Sequence, residues 1–86
     1  MSRDDAVATA VEVMSALAAC RELLQKFLLD TGLTPDTIRQ AAASRGFLSS
    51  VLDYVTSDEV LLIDIAEKID RHPARIAEAQ SILSDA

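Results

Sequence analysis

The chain has 86 residues, half of them hydrophobic, a net charge of −6, one cysteine and 3% aromatic residues. That length holds one domain, and large apolar side chains, each contributing about 1.5–3 kcal/mol when fully buried, can sustain it without a staple. The acidic balance argues against phosphate backbones and anionic membranes as partners, the lone Cys20 points to a reducing cytoplasm, and abundant Ala and Leu with two Gly and two Pro favour helix over sheet.

Residues 5–19 show helical period, with Val7, Ala10, Val11, Val13, Met14 and Leu17 on one arc, Thr9, Glu12 and Ser15 opposite, and Asp4 or Asp5 as cap. Residues 1–4 are expected to be a disordered start. Over 21–30 the inner face is Leu23, Leu24, Phe27 and Leu28, and Arg21, Gln25, Lys26 and Asp30 face outward. Continued as one helix, this second face would lie about 100° from the first, on a rod about 37 Å long. A break near Ala19–Arg21 is therefore predicted.

Gly32 is a helix stop, and Thr34-Pro35-Asp36 supplies a cap, a proline at the first helical position and an acid at the positive end. The short helix so opened turns Ile38, Ala41 and Ala42 inward and ends at Ser44-Arg45-Gly46. Phe47 to Val55 is the cleanest amphipathic stretch, with Phe47, Leu48, Val51, Leu52 and Val55 on one side. Thr56-Ser57-Asp58-Glu59 fits a capping box. The helix beyond it, about 58–69, is apolar over most of its girth and is predicted to be central. His72-Pro73 opens a last helix facing inward with Ile76, Ala79, Ile82 and Leu83. The fold class expected is all-α, one compact domain over 1–86 with five or six short helices.

A shift of 38 residues lays Leu23-Leu24 on Leu61-Leu62, Pro35 on Pro73, Ile38 on Ile76 and Ala41 on Ala79. The proline start recurs at a fixed offset from the Leu pair, which suggests a duplicated helix hairpin.

Leu17-Ala18-Ala19-Cys20 has the form of a lipoprotein cleavage box. Asp4 and Asp5 stand where a basic region is needed, and Glu12 interrupts the apolar run, so the segment reads as amphipathic helix. No run approaches the ~18 apolar residues of a membrane span.

The single His and Cys form no nucleophile constellation, and no phosphate loop, HExxH or CxxC occurs; no enzyme activity, cofactor, metal or small-molecule ligand is expected. Arg71, His72 and Arg75 with Lys68 form a basic cluster, better read as helix-end cations and a cap. Leu28, Gly32, Ile38 and Ala41 have helix-turn-helix spacing, which would offer Arg39, Gln40, Ser44 and Arg45 to a groove. Leu28 is large for the close helix contact, Pro35 and Asp36 occupy the reading end, and the field is negative, so nucleic acid is the weaker reading. Leu29, Tyr54, Val60 and Ile63 fall off or at the edge of the core faces; an apolar patch rimmed by charge marks a protein contact surface.

The segments Phe27-Leu28-Leu29-Asp30-Thr31-Gly32-Leu33-Thr34-Pro35, Phe47-Leu48 with Val51-Leu52-Asp53-Tyr54, and Ser57-Asp58-Glu59 with Leu61-Leu62 resemble a family of short, functionally uncharacterised proteins found mainly in alphaproteobacteria. The resemblance spans Ala6 to Leu83. It departs at Cys20-Arg21, where relatives carry Asp-Pro, and at Asp70-Arg71-His72-Pro73, where they carry Gly-Leu-Asp-Pro. It implies a domain of unknown function and transfers no activity. The expectation is a cytoplasmic protein–protein interaction module binding another protein or itself as a homodimer. The alternatives are a helix-turn-helix DNA-binding protein and an accessory subunit completing an enzyme's active site.

Overall fold

A computed structural model describes residues 1–41 and 44–84 and the side chains of all of these except Pro35, Arg39, Ala41 and Arg45. Six helices appear among them and no strand: α1 Arg3–Ala19, α2 Arg21–Thr31, α3 Pro35–Ala41, α4 Arg45–Thr56, α5 Glu59–Lys68 and α6 Pro73–Ser84. The all-α, single-bundle expectation holds.

The predicted break falls at Cys20, whose extended backbone (φ −104°, ψ 111°) ends α1 and precedes α2. The phase offset of about 100° between the two apolar faces demands it, because one straight rod would not turn Leu17 and Phe27 into the same core. Helix α1 starts earlier than its periodicity predicts. Ser2, rather than Asp4 or Asp5, is the cap: its Oγ accepts from Asp5 N at 3.1 Å, and the Asp5 carboxylate accepts in turn from Ser2 N. Residues 1–4, expected as a disordered start, thus hold the cap and the beginning of the first turn.

Gly32 closes α2 in the left-handed region (φ 74°), and Thr34 Oγ1 caps α3 through Thr37 N at 3.2 Å. Ala41 and Ala42, expected on the inner face of α3, lie outside the described side chains.

The core is built by α1, α4 and α6, each packing on the other two. Helix α1 gives Ala6, Ala10, Val13 and Leu17, α4 gives Leu48, Val51, Leu52 and Val55, and α6 gives Ile76, Ala79 and Leu83. Val11, expected inside, is exposed. Buried Thr9 satisfies its hydroxyl by donating to Asp5 O at 2.8 Å. Only Phe27 of α2 is fully buried, edge-on to the Tyr54 ring with centroids 5.0 Å apart.

Two sequence readings of α5 need correction. Its cap is Asp58, not Thr56: Asp58 Oδ1 accepts from Val60 N and Leu61 N, while Thr56 ends α4 and donates back to Leu52 O at 2.8 Å. Nor is α5 central. It buries Leu61, Ile65 and Ala66 against the bundle and leaves Val60 and Ile63 outside.

The 38-residue offset of the sequence recurs in the helix starts, although α5 packs on α6 while α2 and α3 make no comparable contact among the described residues. The 38-residue offset carries the start of α2 onto that of α5 and the start of α3 onto that of α6. It also carries Gly32 onto Asp70, the two positive-φ residues among those described. Asp70 (φ 55°) closes α5 as its N–H meets Glu67 O and the Arg71 N–H meets Ala66 O, a turn that glycine fits without cost. Asp70→Gly is expected to raise stability by about 0.5–1 kcal/mol in urea melts, because the left-handed strain exceeds the added chain entropy.

Long-range polar contacts fix the helices. Arg71 grips Glu12 of α1 through two of its guanidinium nitrogens, Nε at 2.6 Å and Nη2 at 3.2 Å, and Gln80 of α6 donates to Asp53 of α4 at 2.5 Å. The bond from Arg71, reinforced by its charge, holds the Glu12 carboxyl below its ordinary value despite partial desolvation. A depressed folded-state value stabilises the fold above the ordinary glutamate range, and that stabilisation is lost as pH falls through the depressed value. The stability gap between the wild type and Glu12→Gln is accordingly expected to be full at pH 7 and to close on acidification; a pH-independent gap in urea melts would show that the ion pair does not stabilise the fold.

Candidate protein-contact surface

Within α5 the side facing α4, α1 and α6 is closed by Leu61, Ile65 and Ala66. Opposite, Val60 is 79% exposed and Ile63 45% exposed, one turn apart. A cleft of about 400 Å³ opens beside them, between Leu23 and Lys26 of α2 and the Asp58–Asp64 stretch. A second depression of about 380 Å³ runs from Ile63 over Ala66 to Pro73. Ile63 and Glu67 border both, so the two depressions flank this pair and together make a shallow trough on either side of it along the outer face of α5.

The 38-residue offset offers a comparison within the chain. The positions of α2 equivalent to Val60 and Ile63 are Glu22 and Gln25, and both are exposed. The first unit thus carries polar residues at these two places, so the shared pattern of the two units does not itself require valine and isoleucine. An exposed apolar pair where the fold accepts charge is the pattern expected of a contact surface.

The four residues singled out from sequence do not all share this environment. Leu29 is 84% exposed near the end of α2 and does not line the trough. Tyr54 is half-buried against Phe27, and its hydroxyl donates to Asp30 at 2.8 Å, joining α4 to α2. Desolvation first, then the bond to Asp30 and the nearby carboxylate charges, push its phenol up to about 12. A spectrophotometric titration is expected to show a midpoint near that value, and Asp30→Asn is expected to lower it. Because the folded state resists ionisation, this contribution to stability is intact below the ordinary phenol value and is lost as pH rises through the raised one.

Among the residues considered for a nucleic-acid groove, Gln40 lies in α3 and Ser44 immediately precedes α4, both exposed; the side chains of Arg39 and Arg45 lie outside those described. His72 caps α6, its Nδ1 accepting from Ala74 N at 3.1 Å, and Arg71 is committed to Glu12. The sequence did not foresee that second link, because the partners stand 59 residues apart. No described helix is long and apolar enough to cross a membrane, and no three metal-donor side chains converge among the described residues.

The family model for a protein of unknown function, DUF3572, matches residues 3–86. No curated protein and no solved structure matches the chain.

Proposed function

With the chain a member of the DUF3572 family, a family of unknown function, we propose that it is a non-catalytic protein–protein interaction module that binds through the outer face of α5. The observation that carries this reading is the exposure of Val60 and Ile63 on a trough whose equivalent positions in the first unit are polar. Covering what these two side chains still expose would contribute on the order of 1–2 kcal/mol each, a useful share of a micromolar complex. Two polar residues beside the trough have structural duties: His72 is a cap, and Arg71 holds α1.

The test compares the wild type with Val60→Ser and Ile63→Ser, after circular dichroism has shown all three equally folded. Each is tagged and captured from nuclease-treated native lysate. A stoichiometric protein retained by the wild type and lost from both variants is the expected result. Partners that the variants retain, or that nuclease removes, would overturn the reading.

A further inference from the structure

The charges around the trough determine what can cover it, and we infer that its occupant is an amphipathic helix of another protein, with lysine or arginine flanking the apolar stripe. This rests on the α5 face being the binding surface and adds the chemistry of the partner. Three cations stand at or near the rim, and each is engaged: Lys26 with Asp58 at 3.8 Å, Lys68 with Asp64 at 3.4 Å and Arg71 with Glu12 at 2.6 Å. Glu67 and Asp70 also line the trough and have no ion-pair partner among the described residues. Glu67 borders both depressions, so a ligand lying along α5 must pass it. An apolar ligand would strip water from that carboxylate with no return, whereas a cationic side chain beside the stripe compensates it. The net charge of −6 steers the same class of partner.

Shape supports a helix. From Val60 to Glu67 the trough follows α5 for about 10.5 Å, two turns at 1.5 Å per residue. A helical ligand with apolar residues at i and i+4 or i+7 can fill the depressions on both sides of Ile63. An extended strand would find no free sheet edge to pair with among the described residues. A second copy docked by a two-fold axis would oppose this acidic face to itself and leave Glu67 and Asp70 uncompensated.

The experiment pans a displayed library of random peptides, about 16 residues long, on the full chain and measures the selected peptides by fluorescence anisotropy. Expected hits carry two apolar residues four or seven apart with flanking Lys or Arg, and bind Val60→Ser and Ile63→Ser about tenfold more weakly. Glu67→Lys should weaken the same peptides and strengthen versions whose basic residues are changed to glutamate. This reversal reports charge pairing and not loss of fold. Hits that need Val60 and Ile63 but have neutral or acidic flanks would overturn the basic-helix inference and leave the contact surface standing. Hits indifferent to both residues, or no hits, would overturn the surface itself. A dimer in sedimentation that Ile63→Ser dissociates would give the face to a second copy and overturn the inference.

Discussion

Phe27→Ala is expected to lower the unfolding free energy by about 3–5 kcal/mol, the largest effect of any single change in α2. The side chain is 1% exposed and is the only fully buried one that α2 contributes. Its removal takes away apolar burial and the edge-on contact with Tyr54, and little else on α2 can compensate. The bond from Tyr54 to Asp30 depends on the same docking, so the phenol titration should fall from about 12 towards its ordinary value in the variant. Urea melts give the first quantity and absorbance the second. A loss below about 1 kcal/mol with an unchanged phenol would mean that α2 is held by contacts other than this ring.

Two substitutions one and a half turns apart on α5 should behave in opposite ways. Ile65→Ala is expected to cost about 2–5 kcal/mol, since Ile65 has no exposed surface and its removal leaves a cavity between helices. Val60→Ala is expected to change stability by no more than about 0.5 kcal/mol, because its side chain contacts mostly water. Any effect of Val60→Ala should appear in binding. If both variants proved equally destabilised, Val60 would be a packing residue and the α5 face would cease to be a contact surface.

Local chemistry made much of this fold legible in the sequence. The break at Cys20 follows from a phase mismatch that any reader can compute. The Gly32 stop and the proline starts of α3 and α6 follow from backbone constraints that tertiary contacts rarely override. Cap assignments slipped by two residues at α5 because Thr56 and Asp58 compete for one role, and Thr56 Oγ1 is taken by the preceding turn. The central placement of α5 failed for a different reason. Apolar residues all round a helix are equally compatible with burial on two sides and with one side left for a partner, and periodicity does not separate the two. Leu29, Val60 and Ile63 were legible as residues out of phase; that Val60 and Ile63 share a trough and Leu29 stands apart depends on how the helices pack. The link from Glu12 to Arg71 was beyond any local reading, since it joins the first helix to the turn before the last.

The partnership of α1 with α6 sets the order in which this chain can fold. Helix α1 is made well before α6, its most extensive partner, so its inner face stays short of native neighbours while residues 20–72 are added between them. Closing so long a loop carries an entropic cost that early contacts cannot repay. Helix α2 can form beforehand but buries only Phe27 fully. Cooperative folding therefore waits on residues 73–84, and a nascent chain stalled before them would present α1 and α4 as sticky, incompletely packed helices and a natural target for chaperones.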